Sequence, residues 1–190
     1  MVPRLVTTRP ATTNVRPRSM TPWQHLIETD RRVSARLAIP RETHAWRLLA
    51  LVIAHTGDSP LWLMAAVAAC LWGNSFWRGL GGRVVIGTLV AGAATTALKW
   101  LFRRPRPPGD GVGFYTHFDR HAFPSGHAGR CACLVVLLAP FLPLWGVALL
   151  ALWAGLVGLA RVALKVHFVS DIIGGWAVGL LAGLVLHAPL

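Results

Sequence analysis

Hydrophobic positions in this chain fall into long uncharged runs separated by short polar breaks. Residues 61–77 supply 17 uncharged residues in a row, near the lower limit for a helix that crosses a bilayer core of about 30 Å. Residues 84–98 carry no charge and end at Lys99. From Arg83 to Lys99 is roughly 24 Å along a helix, so the two cations can snorkel to opposite surfaces. Residues 131–160 hold no charge at all, and as one helix they would run about 45 Å, overshooting the bilayer. Pro140, Pro143 and Gly146 divide that run into two short antiparallel helices. A last span covers 172–187. The pattern predicts five crossings, at 61–77, 84–102, 128–142, 144–160 and 172–187. The expected class is all-α, a polytopic membrane helical bundle of about five spans with interfacial helices beside it.

The flanks read differently. Residues 1–22 are rich in Thr, Pro and Arg with no apolar run, which predicts a flexible basic tail and not a signal peptide. Over 23–39, Leu26, Ile27, Val33 and Leu37 alternate with Glu28, Asp30, Arg31, Arg32 and Arg36, the pattern of an amphipathic helix lying on a membrane surface, and Pro40 ends it. The apolar run within 43–56 is too short to span alone and predicts a half-embedded helix, closed by the break at 56–60. Arg78 to Arg83 reads as a glycine-rich turn, and 103–123 as a polar Gly/Pro-rich loop that cannot cross lipid. The expected organisation is a tail (1–22), interfacial helices (23–58) and a membrane-embedded core (59–190).

Composition supports the membrane reading and adds a charge imbalance. Of the 190 residues 54% are hydrophobic and 14% charged, and the formal net charge is +12. Arginines cluster at the ends of the apolar segments, which suits anionic headgroups or a phosphorylated substrate and argues against nucleic acid as the partner. Nine tryptophans fit a chain with two lipid–water boundaries. Cys70, Cys131 and Cys133 match no zinc or disulfide spacing and read as small buried hydrophobes.

Three stretches carry candidate chemistry: Lys99 with Arg106-Pro107; Pro124-Ser125-Gly126-His127; and Arg161 followed by His167 and Asp171. Arginine near the bilayer centre costs roughly 2.5 to 3.5 kcal/mol, so Lys99, Arg103, Arg104, Arg106 and Arg161 belong at a rim or around a polar pocket. The plain alternative is that they are headgroup anchors, as Arg103 and Arg104 can be read, whereas Lys99, Arg106 and Arg161 each recur beside a second chemically unusual element. Pro124 fixes the backbone, Ser125 can cap a helix and Gly126 permits close approach, so freed N–H groups face an anion. Ser125 lacks the flanking glycines of a nucleophile elbow. Asp171, four residues after His167, shares its helix face and can hold one ring nitrogen while the other attacks or accepts a proton. The bland alternative is a buried structural pair. The proline-broken hairpin returns His127 and Arg161 to one membrane face, so the three stretches can meet.

Taken together, the stretches resemble the signature of the type 2 phosphatidic acid phosphatase family, within the lipid phosphate phosphatase and vanadium haloperoxidase-like superfamily. That signature is Lys, six residues, Arg-Pro; Pro-Ser-Gly-His; and Ser-Arg, five residues, His, three residues, Asp. The chain departs from it once, with Ala160 in place of Ser, which removes a possible hydroxyl contact to phosphate. The similarity covers about 45–187. It implies that His167 attacks phosphorus to give a phosphohistidine, that Asp171 holds its ring, and that His127 protonates the departing alcohol. Lys99, Arg106, Arg161, the Ser125 hydroxyl and the Gly126 N–H would hold the equatorial oxygens. No metal or other cofactor is required, since cations do that work, and His117 and His121 read as loop or substrate-entry residues.

A rim site suits an amphiphile with its phosphate at headgroup depth: phosphatidate, phosphatidylglycerophosphate, or a polyprenyl phosphate or diphosphate. Two other readings stand beside this one. A non-catalytic binder of anionic lipids would need the arginines but not His127, His167 and Asp171, and a vanadate-dependent haloperoxidase would be longer and soluble. With five crossings the tail lies on the active-site face, and the nine arginines up to Arg47 against Arg78 and Arg83 opposite predict that this face of a bacterial cell membrane protein is cytoplasmic. Oligomeric state has no signal in the sequence.

Overall fold

The structure, a computed structural model, describes residues 21–108 and 119–187. The tail up to residue 20 and His117 lie outside them. The described residues form helices α1 (Pro22–Leu37), α2 (His44–Thr56), α3 (Ser59–Trp72), α4 (Ser75–Phe102), α5 (Gly126–Leu138), α6 (Leu144–Ala163) and α7 (Val169–His187), with a single 3-10 turn at Ala139–Phe141. Strands are absent among them. The chain is an all-helical integral membrane protein. His44–Trp72, Ser75–Phe102, Leu144–Ala163 and Val169–His187 are long and apolar enough to cross a bilayer, and Gly126–Phe141 is a shorter apolar helix.

Helix α5 can be short because it is the centre of the bundle. Gly126, Ala128, Gly129, Cys131, Ala132, Cys133, Leu134 and Leu137 are all buried, so α5 meets protein, not lipid, around most of its circumference. Its closest partner is α7, which presents Gly175, Gly179 and Gly183 at four-residue spacing. A Cβ added at Gly179 would stand 1.9 Å from the Gly129 carbonyl oxygen, and one at Gly183 would stand 2.7 Å from the Val136 Cβ. Small residues thus let two backbones touch where no hydrophobic drive separates helix from lipid.

Two expectations need correcting. The predicted turn at Arg78–Arg83 is helical; the chain turns at Gly73, which ends α3, and Asn74, whose side chain caps α4 by accepting from the Trp77 N–H at 3.2 Å. The glycines are there for packing, since a Cβ at Gly81 would meet the Ala66 carbonyl oxygen at 2.5 Å. The apolar helix expected over 61–77 starts slightly earlier and stops sooner, as α3 at Ser59–Trp72. The apolar stretch His44–Trp72 runs 29 residues and is interrupted only at Gly57-Asp58 between α2 and α3. Ala50 and Ala54 pack on Ala160 and Leu164 of α6 and its end. The break is held by Trp153, whose indole N–H donates to the Thr56 hydroxyl at 2.9 Å, and by Trp62, which donates to the Thr56 carbonyl at 2.9 Å.

The hairpin forms where Pro140 and Pro143 stand, at the 3-10 turn and the start of α6. Helix α4 stops at Arg103, which adopts the left-handed conformation (φ 48°), before Pro105 can clash with a further turn. Helix α1 is capped by Thr21 and Gln24, which exchange side-chain to backbone bonds. It lies across the end of the bundle where α6 finishes and α7 begins: the Ile39 N–H donates to the Ala163 carbonyl at 3.0 Å, and the Val169 N–H to the Ser34 hydroxyl at 3.0 Å.

Candidate active site

The end of the bundle beneath α1 gathers the three stretches. Lys99 comes from the last turns of α4, Arg106 from the extended chain after it, Ser125, Gly126 and His127 from the start of α5, Arg161 from the end of α6, and His167 and Asp171 from either side of the start of α7. One backbone bond joins the second stretch to the third, the Ser125 N–H donating to the Asp171 carbonyl at 2.8 Å. Ser125 is buried and caps α5, its hydroxyl 3.5 Å from the Ala128 nitrogen. Gly126 follows at a position where a Cβ would press on Arg130 Nη1 at 3.3 Å.

His167 is fully enclosed, with 1% of its surface exposed. Its Nδ1 faces Asp171 Oδ2 at 3.5 Å, an ionic distance longer than a good hydrogen bond, and has no closer partner. The carboxylate is engaged elsewhere: Oδ2 accepts from the Phe168 N–H at 2.8 Å and Oδ1 from Arg104 Nη1 at 2.8 Å. Burial, followed by the charges of Arg161, Arg106 and Lys99, holds the His167 imidazole well below its ordinary range, so the ring is neutral at neutral pH. A neutral ring keeps a lone pair on one nitrogen.

The cations divide into two kinds. Lys99 and Arg106 share a carboxylate, Asp119: Lys99 Nζ makes a short contact with Oδ2, and Arg106 Nη2 lies 3.0 Å from the same oxygen. Burial pushes the Asp119 carboxyl up, but Lys99 and then Arg106 outweigh it and leave it below the usual carboxylate range. Arg106 also donates to the Asp119 carbonyl at 2.9 Å and the Val166 carbonyl at 2.8 Å, which braces the segment carrying His167. Arg161 differs. Its Nε is buried without a hydrogen-bond partner, and a buried donor of a charged group left unsatisfied costs about 1–3 kcal/mol or more unless an acceptor answers it.

Sequence reasoning missed several neighbours. His127 Nε2 lies 2.6 Å from Asp58 Oδ1, at the α2–α3 break, and Asp58 Oδ2 lies 2.8 Å from His55 Nδ1. Arg104, which the sequence left open between headgroup anchor and pocket residue, bridges Asp171 to Asp30 of α1, with Nη2 to Asp30 Oδ2 at 2.6 Å. Asp30 Oδ1 also accepts from the Ser170 N–H at 3.0 Å. Its carboxyl is pushed up by burial and more strongly down by Ser170 and Arg104, ending below its ordinary value. His121 packs edge-on against Trp100. The position of the signature's missing serine, Ala160, is spent on packing against Ala50, Ala54 and Leu164. A cavity of about 1220 Å³ opens beside His167, Arg104 and Arg106, walled by Trp23, Leu26, Phe102, Phe123 and Phe168. No group of three or more His, Cys, Asp or Glu placed to hold a metal occurs among the described residues.

The chain is similar in sequence and fold to known proteins. The family model described as the PAP2 superfamily matches residues 80–188. Phosphatidylglycerophosphatase B of Bacillus subtilis (strain 168) is 34% identical over 142 residues, covering 68% of this chain and 68% of that protein. A putative undecaprenyl-diphosphatase of Escherichia coli (strain K12) is 30% identical over 124 residues, 64% of this chain and 61% of its own length. Among solved structures, a transmembrane PAP2 type phosphatidylglycerolphosphate phosphatase from Bacillus subtilis superposes with a TM-score of 0.71 at 26% identity, covering 85% of this chain and 84% of that one. Aquifex aeolicus LpxE superposes at 0.62 and 21% identity over 84% and 93% of the two chains, a likeness of fold.

Proposed function

The chain belongs to the PAP2 superfamily, and from that membership we propose that it is an integral membrane lipid phosphatase working through a phosphohistidine. The observation that carries this reading is Arg161, a half-buried arginine whose charge bears on a neutral, enclosed His167 and whose buried Nε has no partner in the protein. Such a cation beside such a base calls for a bound oxyanion. Lys99, Arg106, Arg161 and the Gly126 N–H at the capped start of α5 surround the transferred phosphoryl, where positioning and charge stabilisation supply most of the rate.

In the first step His167 Nε2 attacks phosphorus in line, the bond from phosphorus to the lipid oxygen breaks, and His127 gives that oxygen a proton. In the second, His127 takes a proton from water as it attacks the phosphohistidine, releasing inorganic phosphate and restoring His167. Asp171 and Asp58 position the two rings. The apolar cavity beside a cationic rim favours an amphiphile over a soluble phosphate ester, and the names of the relatives point to phosphatidylglycerophosphate or a polyprenyl diphosphate as the substrate class.

The cytoplasmic orientation rests on the arginine count before residue 48 against Arg78 and Arg83 across the membrane. A cysteine introduced near residue 25 that reacts with an impermeant maleimide in sealed right-side-out vesicles would reverse it. The catalytic reading is tested by phosphate release from phosphatidate, phosphatidylglycerophosphate and polyprenyl diphosphate, in detergent with EDTA, by the wild type and by His167→Ala. Release by the wild type and none by the variant is the expected result; equal turnover by the two sinks the assignment.

A further inference from the structure

One cation at the site has no place in the reaction as written. Arg130 lies on α5, three residues after His127 and four after Gly126, and so on the same face of that helix. Its guanidinium folds back toward the start of α5 and rests against α4: Nη1 stands 3.3 Å from the Cβ position of Gly126 and 3.8 Å from that of Gly92. Gly92 precedes Lys99 by two turns, so Arg130 sits deeper in the bilayer than Lys99 does. Its Nε is buried without a hydrogen-bond partner. Lys99 and Arg106 have Asp119, and Arg104 has Asp30 and Asp171, but no carboxylate among the described residues forms an ion pair with Arg130. Its charge repels Lys99, His127 and Arg161, and Asp58 and Asp119 attract it only from beyond ion-pair distance.

A guanidinium whose Nε is buried without a partner, and which has no carboxylate in contact, is costly to fold around. The transferred phosphoryl offers three equatorial oxygens, which Lys99, Arg106, Arg161 and the Gly126 N–H already answer. In-line displacement sets the leaving oxygen opposite His167 and beside His127. The atoms beyond that oxygen therefore lie on the His127 side, and Arg130 follows His127 by one helical turn on the same face of α5. A leaving group that continues as glyceride or hydrocarbon gives the guanidinium nothing to bind. One that carries its own phosphate gives it an anion.

We propose that Arg130 is a specificity residue that binds a second phosphate carried on the leaving group, so that the substrate is a lipid bearing two phosphates, not one. This rests on the phosphatase reading above. Two sources share the chemistry: a polyprenyl diphosphate, whose inner phosphate adjoins the one transferred, and phosphatidylglycerophosphate, whose phosphodiester stands a glycerol away.

The test uses matched pairs in detergent: a polyprenyl monophosphate against the diphosphate of the same tail, and phosphatidate against phosphatidylglycerophosphate of the same acyl chains. The wild type is expected to favour the two-phosphate member of at least one pair by about tenfold or more in kcat/KM, the value of one charge-assisted contact. Which pair shows it identifies the source. Arg130→Gln is expected to lower that ratio about tenfold, and Arg130→Lys to lower it less. Inorganic pyrophosphate and orthophosphate as inhibitors of the wild type give a reading that needs no variant, with pyrophosphate expected to bind the more tightly. Equal preference within both pairs by the wild type, or an equal loss on both members in Arg130→Gln, overturns the inference and leaves the phosphatase intact. No release by the wild type from any of the four lipids overturns both.

Discussion

Asp58 Oδ1 stands 2.6 Å from His127 Nε2 across 69 residues of sequence, and it joins the break in the first membrane stretch to the start of the central helix. An imidazolium has two N–H donors. If Nε2 donates to Asp58, Nδ1 is the nitrogen that faces the departing oxygen, so Asp58 is a positioning residue for proton delivery.

Asp58→Asn should therefore lower kcat on lipid phosphates by about 10- to 100-fold, part of the 10²- to 10⁴-fold that general acid catalysis supplies. The same variant should lose far less on p-nitrophenyl phosphate, whose leaving oxygen needs no proton. Steady-state rates on the two substrates decide it. An equal loss on both would assign Asp58 to structure alone.

Arg104 holds two carboxylates, Asp30 and Asp171, and is itself 22% exposed while they are 13% and 0% exposed. Removing it leaves both carboxylates without their cation. Arg104→Met should cost about 3 kcal/mol, the scale for breaking a buried ionic group from one side. Adding Asp30→Asn should recover part of the loss, because one stranded charge disappears. Thermal unfolding in detergent of the single and double variants measures both, and additive losses would contradict the bridge.

What the sequence made legible was local. Lys99 and Arg106, Ser125 to His127, and His167 with Asp171 stand at fixed short spacings, and helix geometry carries such spacings into space. Asp58, Asp30 and Arg104 act across 67 to 74 residues, and nothing near them in sequence marks them. Asp30 looked like any charge on the polar face of a surface helix. The error at Arg78–Arg83 has a different cause: glycine is a turn signal in water but a packing residue between membrane helices. A window of residues cannot tell which solvent surrounds it.

The same glycines give a stability prediction. Gly179→Ala would drive a methyl into the Gly129 carbonyl, 1.9 Å away, with backbone on both sides unable to yield. The cost should reach about 2 kcal/mol or more, as for overpacked cores. Gly155→Ala is the control, since a Cβ there meets nothing within 4 Å, and it should stay within about 0.5 kcal/mol of the wild type. Unfolding temperatures in one detergent compare them; equal temperatures would mean that α5 and α7 are less closely packed.

His167 predicts how stability changes with pH. Burial, then Arg161, Arg106 and Lys99, keep the folded ring's pKa well below the ordinary 6.5, whereas the unfolded chain takes up that proton near 6.5. Below that pH the unfolded state binds more protons than the folded one, so stability falls as pH falls until the folded ring itself titrates. One group contributes at most about 1.4 kcal/mol per pH unit. Asp119 does not imitate this: its folded pKa lies under 3.8, so its contribution is intact above 3.8 and is lost only at lower pH. His167→Gln should therefore flatten the fall in unfolding temperature between pH 6.5 and about pH 4.5. A variant whose pH slope matched the wild type over that window would show that the folded ring takes its proton at the ordinary pH, and a nucleophile protonated in that range could not attack.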